Sequence, residues 1–366
     1  MRVCRPAICL PNGPARYGSI CNEYNQRTAG AMAHRRRPKG AGSMVRIGVI
    51  GAGPNGAGHC RKFTEQHGTR CSITAIADVN EDAGRALAQQ YDAQPVTTLD
   101  ALFDKADAIV ISSPNFLHRD HGVAAARAGK HVWVEKPMAL SVAEADDIVA
   151  AVDESGVKSF VGFSVRFSGI PRTMKQFYQE GRLGDLLTIW SRRVAGFGNG
   201  RAKSWRGSFA KSGGVMSELI AHEIDWMLDI TGMPKAVYCR TTSRLRDDPR
   251  ANDHVWMTFS YDGSFNGTIE GSQMAPIADY YKGIAGTTAS TFDREWGQKL
   301  ILQTGKNTAE EPEPLPTFDK HGHFLDVIED RCESVAPVHW GRRIVALTER
   351  ALESAVTAKV VSTEGI

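Results

Sequence analysis

The sequence predicts an α/β fold: a doubly wound parallel sheet, followed by an α+β domain with a large, mainly antiparallel open sheet. Three observations predict it. From Met44 onward, short β-rich apolar runs alternate with helical segments, the pattern of parallel strands covered on both faces. After about Arg166 the rhythm changes, and strands follow one another through short turns such as Tyr261-Asp262-Gly263, as antiparallel pairs do. A glycine-rich stretch, GAGPNGAG, stands between the first strand and the first helix. At 366 residues, the chain also exceeds the size at which one core usually keeps growing, so two domains are expected.

The elements follow in order. VRIGVI (45–50) precedes a helix through about residue 67, and SITAIA (72–77) precedes the helical EDAGRALAQQY. DAIVIS (107–112) leads to a helix ending near residue 128, and HVWVE (131–135) to SVAEADDIVAAVDESG. A fifth run, KSFVGF, begins at Lys158 and closes a first domain spanning 44–165. The second, 166–366, opens with the helix PRTMKQFYQEG and the strand LLTIWSRRV. Strands AVYCRTTS, HVWMTFSY, SFNGTIEGS and QKLILQ come next, EEPEPLP reads as a loop, and a helix over about 342–359 ends the chain.

Between them lies GGVMSELIAHEIDWML (213–228). Read as a helix, it puts Glu218, His222, Asp225 and Asp229 within an arc of about 60°, while apolar residues sweep most of the remaining wheel. Such a helix should be nearly surrounded by protein, with its titratable stripe facing water or a cleft.

Charge excludes some functions. Residues 1–43 hold eight of the 44 basic residues and one acidic residue, which leaves 36 basic against 40 acidic in the rest. The body is mildly acidic, against nucleic acid as a partner. No apolar run approaches the roughly 20 residues of a membrane span. The basic leader lacks the apolar segment of an export signal and reads as a disordered extension or as sequence upstream of a start at Met44. Cys60, Cys71, Cys239 and Cys332 are scattered without metal spacing, as thiols of a reducing, cytoplasmic compartment would be.

Gly51, Gly53 and Gly56 have the G-x-G-x-x-G spacing of a Rossmann dinucleotide site: a tight turn, a close approach to pyrophosphate, and close helix–strand packing. Pro54 and Asn55 complete the loop at the helix N-terminus. Asp78 ends the second strand, where a carboxylate receives ribose hydroxyls and repels a 2′-phosphate. No Arg or Lys follows in ADVNEDAG, so NAD is favoured over NADP.

With the glycine loop, SSPNFLH (112–118), EKP (135–137) and E-x-x-x-H-x-x-D (218–225) in this order, the chain from Met44 on resembles the glucose-fructose oxidoreductase, inositol dehydrogenase and rhizopine catabolism (Gfo/Idh/MocA) family. The resemblance implies that Lys136 is the catalytic lysine, and the helix is most similar to the inositol dehydrogenase version. It further implies cofactor contacts at Ser113, Pro114, Asn115, His118, Glu135 and Lys136, and reaction or substrate contacts at Glu218, His222 and Asp225. Arg166 reads either as a cofactor or substrate contact or as an interdomain ion pair. Trp205 and Arg206 either stack on and bond a sugar or cover a loop. Glu218 stands where the family usually has Asp. A metal on Glu218, His222 and Asp225 is disfavoured by the lysine in the same cleft.

The expected reaction is oxidation of a secondary hydroxyl of a cyclic polyol or sugar, with His222 as base and Lys136 stabilising the alkoxide. The alternatives are an NAD-dependent glycosidase with no net redox change, an NADP-dependent sugar reductase, and a non-enzymatic NAD sensor. The family likeness also implies a homodimer or homotetramer formed through the C-terminal sheet.

Overall fold

The computed structural model describes residues 44–196, 203–245 and 247–366. The reading of residues 1–43 lies outside these. The first sheet is made of β1 (Val45–Ile50), β2 (Cys71–Ala77), β3 (Gln94–Val96), β4 (Ala108–Ile111), β5 (His131–Val134) and β6 (Ser159–Val161). Its order is β3-β2-β1-β4-β5-β6, and every pair is parallel. β4, the middle of β5 and nearly all of β1 are buried, which is why these strands read as continuous apolar runs and not as alternating ones.

Helices α1 (Pro54–His67), α2 (Glu81–Gln90), α3 (Leu99–Lys105), α4 (His118–Arg127) and α5 (Val142–Ser155) cross over between the strands. Local chemistry sets their ends. Asn80 caps α2 by accepting from Ala83 N, and Thr98 caps α3 by accepting from Ala101 N. Ser141 accepts from Glu144 N while the Glu144 carboxylate accepts from Leu140 N, a capping-box variant at the start of α5. β3 and α3 were not expected from sequence: a three-residue strand containing Pro95 is too short to show any period.

After α6 (Gly169–Gln179) comes a nine-stranded sheet in the order β14-β13-β12-β11-β7-β10-β9-β8-β15. Its strands are β7 (Leu186–Gly196), β8 (Ala236–Thr242), β9 (His254–Ser260), β10 (Asn266–Ser272), β11 (Met274–Gly286), β12 (Ser290–Arg294), β13 (Lys299–Gly305), β14 (Thr308–Glu310) and β15 (Val361–Ser362). All pairs are antiparallel except β7–β10. β11 escaped the sequence reading because its middle, Asp279-Tyr280-Tyr281-Lys282, carries charge on both faces of the strand.

The short helix α7 (Phe209–Ser212) leads to a π-helical turn, Met216–Ile220, and then to α8 (Ala221–Thr231), which packs on β7 and β10. Residues 212–228 are all buried, as so apolar a wheel requires. The stripe, however, does not face one cleft or water. The π turn breaks the 100° period between Glu218 and the residues beyond it, and the stripe divides among different partners.

Two late helices return to the first sheet's layers. α9 (Lys320–Ile328) lies against α1, and α10 (Val338–Thr357) packs on both α5 and β8, so it bridges the two sheets. Sequence missed α9 because His321 and His323 occupy core positions that an apolar count passes over. Among the described residues no helix is long and apolar enough to cross a membrane.

Candidate active site

A cleft of about 450 Å³ opens beyond the carboxyl ends of β1, β2 and β4, where a doubly wound sheet binds its ligands. Gly51 turns the chain at φ +102°, and a Cβ there would lie 2.7 Å from Ser112 O. A Cβ on Gly56 would lie within 1.9 Å of Gly51 O, so the third glycine is what lets α1 reach the strand. Gly53, by contrast, has nothing within 4 Å of its Cβ position and borders the open cleft. Pro54 begins α1, whose first amides have no helical partner.

Asp78 accepts from Ala52 N at 2.6 Å and from Asn80 N at 2.7 Å. It therefore pins the glycine loop as well as lining the cleft. Val96, Thr97, Thr98 and Leu99 complete that end; sequence missed them because the β3 signal is so short. The Ser112 hydroxyl on the same wall is buried with no hydrogen-bond partner among the described residues. An open glycine, free helix amides and an orphaned hydroxyl that can donate to phosphates, with a carboxylate that can accept from ribose hydroxyls, fit a dinucleotide.

Ser113, Pro114, Asn115, His118, Glu135 and Lys136 come from the ends of β4 and β5 and line the cleft toward the second sheet. His118 sits between two backbone carbonyls, with Nδ1 2.7 Å from Pro137 O and Nε2 2.9 Å from Ser113 O, of which a neutral ring donates to one. It thus ties SSPN to EKP from beneath, and burial lowers its pKa. Ser113 Oγ in turn meets His121 Nδ1 at 2.9 Å.

From the other side the π turn supplies Glu218. Its carboxylate accepts from Asn115 Nδ2 at 3.0 Å and from Arg206 Nε at 2.8 Å, and its backbone carbonyl accepts from Lys136 Nζ at 2.6 Å. Burial opposes ionisation of Glu218, but Lys136, Asn115 and Arg206 outweigh it and hold the carboxyl below its usual range. Lys136 is lowered, first by burial and also by Arg193 and Arg206, against the pull of Glu218 and Glu135. Trp205 and Arg206 line the cleft, with the guanidinium 4.3 Å from the centre of the Trp205 ring.

His222 lies four residues beyond Glu218, past the π turn, and is not among the cleft residues. It is buried, its ring stands edge-on to Phe163, and its Nδ1 has no partner among the described residues. Burial, then Lys136 and Arg193, lower its pKa well below 6.5, so the imidazole is neutral.

Asp225 and Arg166 sit elsewhere. Arg166 grips Asp225 with Nε at 2.9 Å and Nη2 at 2.5 Å, Trp340 Nε1 adds a bond at 2.8 Å, and neither ion-pair partner is among the cleft residues. Arg166 is engaged in an ion pair, but with Asp225 and Asp229 of its own domain and not between the domains. Asp229, at the end of the stripe, meets Lys175 at 2.9 Å and Arg166 at 3.3 Å.

Sequence reasoning missed Glu223, which is fully buried on the sheet side of α8. It accepts from Ser191 Oγ, Arg193 Nη1 and Lys282 Nζ at 2.6, 3.0 and 2.8 Å. Its only signal was a charged residue inside an apolar arc.

Two family models match this chain. "Oxidoreductase family, NAD-binding Rossmann fold" covers residues 45–163, and "GFO/IDH/MocA C-terminal domain" covers 172–291. The 2,7-anhydro-N-acetylneuraminate hydratase of Escherichia coli K12 is 28% identical over 68% of this chain and 67% of its own length. The scyllo-inositol 2-dehydrogenase (NADP+) of Bacillus subtilis 168 is 25% identical over 70% of this chain and 79% of its own. Matches to several other curated relatives span about half of those proteins, 51 to 54%. The structure of a levoglucosan dehydrogenase in complex with NADH superposes with a TM-score of 0.78 at 19% identity, over 88% of this chain and all of that one, which shows a shared fold. The glycine loop, the EKP lysine and the His-bearing helix thus stand in a matched pair of domains, and the chain belongs to the Gfo/Idh/MocA oxidoreductase family.

Proposed function

We propose that this protein is an NAD-dependent dehydrogenase that oxidises a secondary hydroxyl of a cyclic polyol or sugar, working as two domains, 44–165 and 166–366, that meet at the cleft. The observation carrying this reading is a buried lysine ammonium that lines the glycine-loop cleft, held on Glu218 O, with a neutral histidine near enough to feel its charge. Bound nicotinamide supplies the hydride acceptor. Lys136 spends one N–H on Glu218 O, which fixes its direction and leaves two donors for the substrate oxygen as negative charge develops there. His222, neutral because burial and Lys136 oppose its charge, takes the hydroxyl proton. Glu218, Asn115, Trp205 and Arg206 form the wall on which neighbouring hydroxyls are held. A panel of cyclic polyols and sugars, followed by NADH absorbance, tests the proposal; no reduction of NAD by any of them would overturn it.

A second reading has its own support, since two curated relatives are named hydratases. In it the hydride would pass to bound NAD and back to the substrate while the same residues hold and deprotonate that substrate, so product would form without net NADH. Product analysis alongside absorbance separates the two readings.

Asp78 underlies the choice of NAD. Its carboxylate, anchored by Ala52 N and Asn80 N, would stand against a 2′-phosphate without a compensating cation in the ADVNEDAG turn. NAD should bind more tightly than NADP, and Asp78→Asn, which keeps an acceptor for Ala52, should narrow the gap roughly tenfold, about 1.4 kcal/mol. Fluorescence titration with both cofactors checks this, and a wild-type preference for NADP would reverse the assignment.

The nine-stranded sheet's outer face supports a homodimer or homotetramer. Arg240, Trp256, Glu270, Arg192 and Tyr281 pair laterally across five strands on the face opposite α8, with Trp256 and Tyr281 exposed. Light scattering should give a multiple of the monomer mass that falls to the monomer in Trp256→Glu. A wild-type monomer would dismiss the interface.

A further inference from the structure

Behind the catalytic turn lies a buried polar chain that the mechanism does not use. Glu135 precedes Lys136. Its Oε1 accepts from Trp133 Nε1 at 3.1 Å and stands 3.0 Å from His59 Nε2 on α1. His59 Nδ1 is in turn 3.0 Å from His321 Nε2 on α9. All three side chains are buried, packed around Trp133 and Phe63. The fit is close: a Cβ on Gly162, at the end of β6, would come within 2.2 Å of Glu135 Oε1.

The proton positions follow from chemistry. An ionised carboxylate has no proton to give, so His59 Nε2 must donate to Glu135 whether His59 is neutral or charged. A neutral His59 then accepts at Nδ1, and His321 donates from Nε2. Burial opposes the charge on Glu135, yet donation from His59, the Lys320 ammonium and the Trp133 indole hold it ionised, far below its usual range. His321 is pushed down to about 2 by burial and by His59, Lys320 and Lys62, and so contributes a neutral ring.

We propose that His59 and His321 are positioning residues for Lys136: a hydrogen-bonded chain that keeps a carboxylate fixed directly behind the lysine and so helps it retain its proton. This rests on the role given to Lys136 above. Two anions sustain the ammonium, Glu218 and Glu135, while burial, Arg193 and Arg206 oppose it. Glu218 is already shared with Arg206 and Asn115, so Glu135 is the anion whose strength the chain controls. The charged or titratable groups around Glu135 are His59 from α1, His118 from α4, His222 from α8, Lys320 and His321 from α9, and Lys136 itself. Because α9 follows the second sheet, the chain also ties the lysine turn to the far end of the sequence.

The test uses ligand-free protein. The pH dependence of Lys136 acetylation by acetic anhydride, read by mass spectrometry, reports the lysine's protonation without catalysis. In His59→Leu, the Glu135 carboxylate loses its main side-chain donor and with it its fixed place behind Lys136, so the midpoint for Lys136 should fall by about one pH unit. His59→Gln keeps an N–H for Glu135 and should stay close to wild type, whereas a purely space-filling role would favour Leu. If His59→Leu does not fold, the isosteric Glu135→Gln makes the same comparison. Nitrogen-15 spectra should show His59 Nε2 protonated from pH 6 to 9. An unchanged midpoint in His59→Leu or Glu135→Gln, a shift in His59→Gln equal to that in Leu, or a bare Nε2 would each overturn the proposal. A shifted midpoint in a protein that oxidises no polyol or sugar would sink the dehydrogenase reading and leave this chain standing.

Discussion

Lys136→Met is expected to lower kcat by roughly 10² to 10⁴, the usual worth of a positioned group that stabilises developing charge, while NAD affinity stays within a few fold. Methionine preserves the length of the stem and removes the ammonium held on Glu218 O. His222→Ala should act similarly, and the double variant should be less damaging than the product of the two, because both groups serve one proton transfer. The pH profile follows from the shifts. On the proposed reading Lys136 works as a cation, and burial lowers its pKa, so activity should be lost as pH rises through a value below 10.5. On the same reading His222 works as a neutral base, and burial with Lys136 holds its pKa well below 6.5, so its acid limb should lie below that value. Steady-state and stopped-flow rates across pH test both limbs. Near-normal turnover in both single variants would show that neither residue takes part in the reaction.

Asp225→Ala should lose about 3 kcal/mol of stability, since it leaves the buried Arg166 guanidinium with only the more distant Asp229 as its anion. The side chains are 4% and 0% exposed, so water cannot replace the missing partner. Arg166→Met combined with Asp225→Leu should recover much of the loss, because two apolar side chains avoid the stranded charge. Denaturant unfolding measures both. Turnover per folded molecule of Asp225→Ala should remain within about tenfold of wild type, unlike that of His222→Ala. A large fall in turnover at unchanged stability would return Asp225 to the reacting centre.

How much of the site was legible in the chain depends on how local its signal is. The glycine loop is a local device: Gly51 and Gly56 are demanded by contacts within a few residues or with the adjoining strand, so spacing alone exposed it. Asp78 at the end of β2 and Lys136 after β5 were placed by strand endings, which apolar runs mark well. The 213–228 stripe was less faithfully read, because a helical wheel assumes an unbroken period. The π turn at Met216–Ile220 breaks it, giving Glu218 to Asn115 and Arg206, and Asp225 to Arg166.

The sequence by itself determined the two-layer alternation, the cofactor loop, and which strand ends carry the polar side chains, because each follows from the chemistry of neighbours in the chain. Tertiary structure alone decided which of those side chains meet. Asn115 reaches Glu218 across 103 residues, Arg166 reaches Asp225 across 59, and His59 reaches His321 across 262. Periodicity carries no information about a partner that distant. It is the burial of both groups in one shared interior that makes each pairing obligatory, since a buried charge or ring nitrogen left without its partner would cost more than the fold can spare.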